Sequence, residues 1–399
     1  MKLRTLDDLE DLAGSRVFVR VDLNVPLAEG RVADDARIRA SIPTIEELLG
    51  AGTSLVLASH LGRPNGTVRD DLRLAPVGDR LAELLGRDIM TLDEVTGDGP
   101  SAVCSHIEPG EVVLLENLRF DPREERNDEG FATELSDLAD VYVDDAFGAV
   151  HRAHASVVAL PARFLSTGHP AVAGRLIERE VKALSKLLND PHRPYVAVLG
   201  GAKVSDKLST IGALVERVDA ILIGGAMAFT FIAADGGEVG ESLVERDRFD
   251  DVRAARARAE EHGVMLQLPE DVVAASEMSV TAARTTVKAA DVPRGLMGLD
   301  IGPRTVEEFV RSIAEASTIL WNGPMGVFEL EPFSAGTRGI AMAIAGSKAY
   351  TVAGGGDSLA AIAKLDLEDG FDHLSTGGGA SLEFLEGRDL PGIVILEVG

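Results

Sequence analysis

Short apolar runs alternate with segments of helical periodicity along almost the whole chain. The first run, RVFVRVDLNV at residues 16–25, places valines and a leucine at odd positions and polar residues at even positions towards its end. A helical pattern follows at residues 37–49, and the next apolar run occupies residues 54–59. Alternation of this kind is typical of α/β domains that are built around parallel sheets.

Further strands are predicted at residues 112–115, 141–143, 196–199, 220–223, 264–268, 318–321 and 349–352. Near the middle of the chain, a helical stretch at residues 175–188 precedes the turn-forming run Asn-Asp-Pro-His-Arg-Pro. A chain of 399 residues is too long for one core, so we expect two or three domains. The helical stretch is the predicted connection between two lobes.

The charge balance narrows the range of partners. The formal net charge is −26, and only 8 of the 39 basic residues are lysines. Nucleic acids and anionic membranes repel such a surface, so neither is an expected partner. Acid excess with few lysines resembles proteins of salt-loaded cytoplasms, where at ~1 M salt the Debye length is only about 3 Å. We therefore predict salt-dependent folding.

The single cysteine, Cys104, excludes a disulfide framework and a cysteine-based zinc site. The longest uncharged run, residues 220–234, has 15 residues and is too short to span a bilayer. We therefore expect a cytoplasmic protein.

Cationic and polar side chains gather at the predicted strand ends of the first half of the chain. They are Asp22, Asn24, Arg37, His60, Arg63, Arg119 and Arg152, with His151 and His154 beside the last. Arginine forks match carboxylate and phosphate oxygens, so a shared basin of this kind would hold an anion. Each arginine taken alone is better explained by a surface ion pair. The two histidines, three residues apart in a loop, do not make a metal site.

Glycine clusters follow predicted strands of the second half. They are Gly200–Gly201 before Lys203 and Lys207, Gly224–Gly225, Gly354–Gly356 before Asp357 and Ser358, and Gly377–Gly379. The first and third are expected to open helices, where backbone N–H groups and the helix N-terminus favour phosphate. Asp357 offers a hard oxygen ligand that suits Mg²⁺. No GxxxxGK[ST], GxGxxG, HExxH or GxSxG motif is present, which excludes Walker-type and simple nucleophile chemistry.

Several longer motifs resemble those of the phosphoglycerate kinase family. They are RVDLNVP, LASHLGRP, LLENLRF, DAFGAVHRAHAS, GGAKVSDK, GGAMAFTF, DIGP, WNGPMGVFE, GGGDS and STGGGASLEFLEG, spanning residues 20–387. The resemblance implies reversible phosphoryl transfer from 1,3-bisphosphoglycerate to ADP, giving 3-phosphoglycerate and ATP, in glycolysis and gluconeogenesis. It implies a monomer with small-molecule substrates and Mg²⁺ as MgATP or MgADP. Lobe closure and charge stabilisation would drive the transfer without a covalent intermediate.

The resemblance also implies a site for each ligand. Glycerate would be bound by Asp22, Leu23, Asn24, Arg37, His60, Leu61, Gly62, Arg63, Arg119 and Arg152. Nucleotide would be bound by Gly201, Lys203, Lys207, Gly225, Gly298, Pro324, Val327, Glu329, Gly354, Gly355, Gly356, Asp357 and Ser358. Arg37, Lys203, Gly355 and Gly378 would be catalytic, and Asp357 would hold the metal.

The implied fold is α/β, with two Rossmann-like lobes of parallel sheets, a long interdomain helix, and a C-terminal tail that returns to the N-terminal lobe. The expected glycerate lobe is residues 1–172 with 388–399, the helix is 173–190, and the nucleotide lobe is 191–387. One departure from the family pattern is Asp144-Asp145 in place of Asn-Asp, which we attribute to general acidification. The rival interpretations are a kinase of acetate or carbamate, which needs fewer arginines, and a nucleotide-binding regulator without catalysis.

Overall fold

The protein, described here by a computed structural model over residues 2–398, folds as two compact units. The first comprises Met1–Lys182 and Asp389–Gly399, and the second comprises Ala183–Arg388. The division falls inside the helix Arg175–Asn189, whereas the sequence analysis treated residues 173–190 as a separate segment. That helix ends close to the predicted residue 188.

The first unit is built on a parallel sheet. The strands of this unit are β1 (Arg16–Val21), β2 (Leu27–Ala28), β3 (Arg31–Val32), β4 (Ser54–Ala58), β5 (Met90–Thr91), β6 (Val112–Leu114), β7 (Val141–Asp145) and β8 (Ala171–Ala173). Strands β2 and β3 form a separate antiparallel hairpin. The parallel sheet has the order β5-β6-β4-β1-β7-β8. Strand β1 is central and buried on both faces, which is why Phe18 and Arg20 are as fully buried as Val17, Val19 and Val21.

Strand β1 ends at Val21, four residues before the predicted end. Its pairing with β4 stops at Arg20 and its pairing with β7 stops at Val21, so the following polar residues leave the sheet at its carboxyl edge. Leu23 and Val25 remain buried, which explains why their spacing resembles that of a strand.

Six α-helices of the described residues belong to the N-terminal part of this unit, and the last of them continues into the second unit. They are α1 (Ala36–Gly50), α2 (Ala75–Leu85), α3 (Asp98–Cys104), α4 (Glu129–Ser136), α5 (Leu160–Ser166) and α6 (Arg175–Asn189). Helix α1 buries Ile38, Ile45 and Leu48 against the same cluster that contains the valines of β1. A π-helical segment, Ala155–Ala159, leads directly into α5.

The second unit has its own parallel sheet and a smaller antiparallel one. Its strands are β9 (Tyr195–Leu199), β10 (Ala220–Ile223), β11 (Glu238–Val239), β12 (Met265–Gln267), β13 (Asp271–Ala275), β14 (Arg284–Lys288), β15 (Asp291–Val292), β16 (Met297–Ile301), β17 (Thr318–Asn322), β18 (Tyr350–Gly354) and β19 (His373–Ser375). The parallel order is β12-β10-β9-β17-β18-β19, and β14-β13-β16 form the antiparallel sheet. The antiparallel sheet was not predicted, because β14 is an exposed strand without an apolar run.

Seven helices of the described residues belong to this unit. They are α7 (Leu208–Leu214), α8 (Met227–Ala234), α9 (Phe249–Glu261), α10 (Pro303–Glu315), α11 (Ala335–Ala345), α12 (Gly356–Lys364) and α13 (Gly379–Leu385). The prediction that the run after β9 opens a helix is wrong, because α7 begins only at Leu208. Gly201, with φ +119°, turns the chain first, and its carbonyl accepts the N–H of Met227. Helix α12 does begin within its glycine cluster.

The last residues lie in the first unit. Helix α14 (Pro391–Val394) follows Leu390, and the N–H of Gly392 donates to the carbonyl of Val150. Leu3 and Glu397 form an antiparallel bridge, and the N–H of Val398 donates to the carbonyl of Lys2. The segment after Arg388 is therefore fixed to the N-terminal end of the chain by backbone hydrogen bonds.

Within residues 2–398, no helix is both long and apolar enough to cross a membrane.

Candidate active site

The carboxyl edge of the first sheet carries a cluster of polar side chains that hold one another. Asp22 is almost fully buried and accepts two hydrogen bonds from one guanidinium nitrogen of Arg37, at 3.2 and 3.1 Å. The same nitrogen lies 3.3 Å from the carbonyl oxygen of Asn24. The amide oxygen of Asn24 in turn accepts the N–H of Gly62 at 2.9 Å. Two strand ends and the start of α1 are thereby joined before any ligand binds.

Arg119 is the most buried of the predicted ligand-binding arginines. One of its nitrogens donates to the carbonyl of Gly62 at 2.8 Å, and its Nε lies 3.5 Å from Glu125. Among residues 2–398, that buried Nε has no hydrogen-bond partner. Burial, and then the neighbouring charge of Arg20, lower the pKa of Arg119 to about 10, so it remains protonated at neutral pH. An unpaired buried donor on a cationic group is suited to an anionic ligand.

The pKa shifts of two histidines indicate which cations lie near each other. Burial, followed by the charges of Arg20, Arg119 and Arg37, holds the pKa of His60 well below its usual range. Burial also lowers the pKa of His154 to about 4, with Arg119 as the next cause. Both rings are therefore neutral at pH 7. We call Arg20, Arg37, His60, Arg119, Arg152 and His154 the basic basin, because each of the four arginines lowers the pKa of one or both of the two neutral rings.

Two predicted arginines lie on the outside. Arg152 is exposed, and its Nε is 3.1 Å from Nε2 of His151, yet its charge reaches Arg119 and His154. Arg63, which follows Gly62, is exposed, and within residues 2–398 it has no described hydrogen bond or ion pair with the buried residues of the basin. The structure therefore brings together Arg37, Arg119 and Arg152 and leaves Arg63 at the surface.

Leu23 and Leu61 hold the loops of the basin in place. Both are buried, and the N–H of Leu23 donates to Ser59 Oγ at 2.9 Å. The Asn117 side chain accepts the N–H of Leu61 and donates to its carbonyl. These backbone groups are already used, so the two leucines support neighbouring residues instead of presenting N–H groups to a ligand.

The position of Asp144 contradicts the interpretation that this residue reflects general acidification. Attributing it to general acidification is wrong, because Asp144 is fully buried in β7 and adds nothing to the charge of the surface. Burial raises the pKa of Asp144 to about 7, partly offset by the nearby Arg20. Asp145 is also buried, with its pKa raised to about 7 by burial. The two residues are on the strand next to β1, where Asp144 pairs in register with Arg20 and Asp145 with Val21.

The second unit contains a pocket of about 280 Å³ at the carboxyl edge of its parallel sheet and against the antiparallel sheet. Its walls include the predicted nucleotide-binding residues Gly201, Gly225, Gly298, Pro324, Val327, Glu329 and Asp357, with Phe229, Leu243, Met278, Met297 and Asp300 among the others. A Cβ at Gly298 would lie 2.0 Å from Cζ of Phe229, so only glycine leaves this wall intact. The size and apolar walls suit the base of a nucleotide.

Asp300 is a pocket residue that the sequence analysis missed. Its carboxylate accepts the N–H groups of Gly336 at 2.7 Å and Ile301 at 2.9 Å. Burial nevertheless raises the pKa of Asp300 to about 7. The motif DIGP contains this residue, but nothing in the pattern indicates that its carboxylate anchors α11.

Among the predicted phosphate-binding residues, Lys203, Lys207, Gly355 and Ser358 do not line the pocket, although Asp357 does. Lys207 donates to the Oδ1 of Asn322, and burial lowers its pKa. A Cβ at Gly355 would lie 3.3 Å from that same oxygen, which places Gly355 near Lys207. Lys203 is exposed. Against the opposing effect of burial, hydrogen bonds from Ser205 and Val204 lower the pKa of Glu245, and the charge of Lys203 is a lesser cause. Asn322, at the end of β17, is the link that the sequence analysis missed.

The glycine cluster after β18 begins α12. Gly355 has φ +91°, Gly356 is the first helical residue, and Asp357 is exposed in the first turn. Ser358 is buried, and its hydroxyl accepts the N–H of Gly323 at 2.6 Å, so it fixes this turn to the end of β17. Gly378, predicted as catalytic, precedes α13 with φ +56°.

The donor set fits Mg²⁺ held together with phosphate oxygens. Within the described residues, no group of three or more His, Cys, Asp or Glu side chains could enclose a metal ion. Asp357 offers one exposed carboxylate at the edge of the pocket. Mg²⁺ commonly binds to one or two carboxylates, waters and substrate phosphates, which matches this arrangement.

The basic basin in one α/β unit and the pocket that suits a nucleotide base in the other fit an enzyme of the phosphoryl-transferring class. The family model for phosphoglycerate kinase matches residues 6–388. Proteins named phosphoglycerate kinase from Anaeromyxobacter dehalogenans and Moorella thermoacetica are 53% and 51% identical, over 100% and 98% of both chains. The chain belongs to the phosphoglycerate kinase family.

Solved structures agree with this assignment. The phosphoglycerate kinase of Coxiella burnetii is 40% identical with a TM-score of 0.86, and that of Pyrococcus horikoshii is 33% identical with a TM-score of 0.87. Each alignment covers 99% of this chain and 98% of the other. The chain is a kinase of reversible phosphoryl transfer between 1,3-bisphosphoglycerate and ADP, giving 3-phosphoglycerate and ATP, in glycolysis.

Proposed function

We propose that the basic basin of the first unit binds the glycerate substrate. The observation that carries this proposal is the convergence of Arg20, Arg37 and Arg119 around Asp22 and His60 on a protein of net charge −26. An anion would be repelled by most of this surface, and the basin offers the locally positive potential that it needs. Arg119, with an unpaired buried donor, would contact the phosphate or carboxylate oxygens. Asp22, Asn24, Gly62, Arg63 and Arg152 would complete the site.

We infer that the pocket of the second unit binds the nucleotide. Its apolar walls at Gly225, Gly298, Pro324 and Val327 would enclose the base, and Glu329 would accept the ribose hydroxyls. Lys203, Lys207 and the backbone of Gly354–Gly356 would then reach the phosphates, because they adjoin the same pocket. Bound Mg²⁺ would neutralise phosphate charge, and Asp357 would hold it.

The chemistry requires no protein nucleophile. A carboxylate oxygen of the glycerate and the β-phosphate of ADP exchange one phosphoryl group, so catalysis consists of positioning and charge stabilisation. Arg37 and Lys203 would stabilise the transferring group, with backbone N–H groups near Gly355 and Gly378. We propose that closure of the protein on its ligands precedes transfer and excludes water.

Calorimetry with separate ligands tests the division of roles. Arg119→Ala should weaken binding of 3-phosphoglycerate by about 10- to 100-fold, the effect of losing a charged hydrogen-bond donor, and leave MgADP binding unchanged. Arg126→Ala, an exposed arginine in the loop that follows, serves as the control. Normal 3-phosphoglycerate binding by Arg119→Ala would contradict the proposed basin.

We further propose a monomeric, cytoplasmic enzyme whose fold requires salt. The net charge of −26 supports this proposal, because self-repulsion weakens when salt screens it. The melting temperature should rise when dilute buffer is replaced by molar KCl. Equal melting temperatures in the two solutions would contradict salt dependence and leave the catalytic assignment untouched.

A further inference from the structure

Arg20 is a fully buried arginine of the basic basin to which the sequence analysis gave no role. It lies on β1, two residues before Asp22, and all three sides of its guanidinium group are engaged. Its Nε donates to Ser156 Oγ at 2.8 Å, and one terminal nitrogen donates to the Val21 carbonyl at 2.5 Å. The other terminal nitrogen lies 3.1 Å from Nδ1 of His60.

This last contact determines where the proton of His60 resides. A guanidinium group has donors and no acceptor, and it remains protonated in proteins. Nδ1 of His60 must therefore accept, and the proton of the neutral ring must be on Nε2. Within residues 2–398, the imidazole ring of His60 has no hydrogen-bond partner other than Arg20, so Nε2–H is a donor that remains available.

The surroundings keep both groups in this state. Ser156 bridges Arg20 and Glu124, because its hydroxyl accepts from Arg20 Nε and donates to a Glu124 oxygen at 2.6 Å. Asp144 is the register partner of Arg20 on β7 and also interacts with its charge. Burial, and then the charges of Arg20, Arg119 and Arg37, oppose protonation of the His60 ring. Glu124 and Asp144 therefore lie near the positive charge of Arg20, while the His60 ring on its other side stays neutral.

We propose that Arg20 is a positioning residue that fixes the Nε2–H tautomer and the ring orientation of His60, so that His60 presents a neutral hydrogen-bond donor to bound glycerate. This inference rests on the proposed glycerate site. A neutral donor adds directional binding where further positive charge would repel the neighbouring arginines. The role of Arg20 is exerted through His60 and not by contact with the substrate.

Nitrogen NMR of protein with ¹⁵N-labelled histidine tests the tautomer without any variant of Arg20. His60→Gln identifies the His60 signals. At pH 7 we expect an unprotonated Nδ1 and a protonated Nε2. Addition of 3-phosphoglycerate should shift Nε2 more than Nδ1. An Nδ1–H tautomer or an imidazolium at pH 7 would overturn the inference.

Kinetics of Arg20→Lys test the consequence. Lysine keeps the buried charge but cannot hold three acceptors in one plane, so His60 should show both tautomers by NMR. The KM for 3-phosphoglycerate should rise about 10-fold, with kcat and the KM for ATP within about 2-fold of wild type. Arg16→Lys is the matched control, because Arg16 lies on the same strand and pairs with Asp140. It should leave all three values unchanged.

The outcomes separate this inference from the proposed function. If 3-phosphoglycerate binds but Arg20→Lys retains a single Nε2–H tautomer and an unchanged KM, the positioning role is wrong. If 3-phosphoglycerate perturbs no basin histidine in the wild-type protein, the proposed glycerate site is itself wrong. If Arg20→Lys does not fold, the wild-type NMR measurement alone decides the tautomer.

Discussion

The two units prepare their ligand sites by different physical means. In the first unit, buried charged side chains such as Arg20, Asp22 and Arg119 are held in place by hydrogen bonds to one another and to backbone carbonyls. In the second unit, the pocket is formed largely by glycines and apolar side chains, and the predicted ligand groups Lys203 and Asp357 are exposed. The first site depends on charged side chains, and the second depends on glycines that leave space because they have no Cβ.

This difference predicts opposite sensitivities. A charged network loses function when a donor is removed, because its partners remain buried and unpaired. A pocket lined by glycine loses function when an atom is added, because the added atom occupies the space of the ligand or displaces a wall. Substitutions in one unit should therefore affect mainly one ligand.

The largest expected effect comes from the residues proposed to stabilise the transferring group. Arg37→Ala and Lys203→Ala should each lower kcat by about 10²–10³, the usual effect of losing one such donor. Circular dichroism and thermal melting should show that both variants fold. Arg39→Ala, at an exposed arginine of α1 that pairs with Asp35, is the control. Near-normal turnover in both variants would contradict the assigned roles.

Adding a methyl group at Gly298 should give the next largest effect. The new Cβ would meet Phe229 at 2.0 Å, so we expect a loss of about 1–3 kcal/mol in unfolding free energy. Binding of MgADP should weaken about 10-fold or more, with 3-phosphoglycerate binding unchanged. Gly50→Ala is the control, because a Cβ there meets nothing within 4 Å. Weakened binding of both ligands would show that the two sites are not separable in this way.

Asp357→Asn should act on the metal complex alone. We expect about 10-fold weaker binding of MgADP, equivalent to about 1.4 kcal/mol, and little change for ADP in the presence of EDTA. Asp369→Asn changes an exposed carboxylate of the same unit and serves as the control. If calorimetry gives the same MgADP affinity for Asp357→Asn and wild type, the metal assignment is wrong.

The smallest effect concerns pH and the buried Asp144. Because burial raises its pKa from 3.8 to about 7, the folded protein binds more protons than the unfolded chain between these values. Its contribution to stability is therefore present below about pH 4, declines as pH rises, and is lost above about pH 7. Asp144→Asn removes this decline, so its melting temperature relative to wild type should rise by about 3–6 °C from pH 5 to pH 8.

The control for this change is Asp137→Asn, at an exposed position of the same unit. Its melting temperature relative to wild type should not depend on pH. A constant difference for Asp144→Asn across the same range would mean that the carboxyl titrates as an ordinary aspartate.

The sequence predicts the strand-end residues well for a simple reason. The carboxyl ends of parallel strands meet at one edge of a sheet, so Asp22 and Asn24 after β1 come near Gly62 after β4. Alternation along β1 does not predict that Arg20 is buried, because a polar residue at an even position normally faces water. Its burial depends on the π-helical segment that covers this face with Ser156.

The second unit was harder to predict in detail. Glycine runs indicate where the backbone can approach a ligand, but they do not indicate partners distant in the chain, such as Lys207 and Asn322. The antiparallel sheet contains an exposed strand, β14, with no apolar pattern, and the late start of α7 depends on the turn at Gly201. Tertiary contacts decide these features, and no local pattern encodes them.

Hydrogen–deuterium exchange with one ligand at a time tests the central claim most directly. With 3-phosphoglycerate alone, we expect slower exchange at residues 22–24, 60–63 and 117–120. With MgADP alone, slower exchange should be centred on residues 200–207, 298–300, 322–329 and 354–358. If 3-phosphoglycerate protected the second set, or MgADP the first, the assignment of glycerate to the charged basin and nucleotide to the glycine-walled pocket would be contradicted.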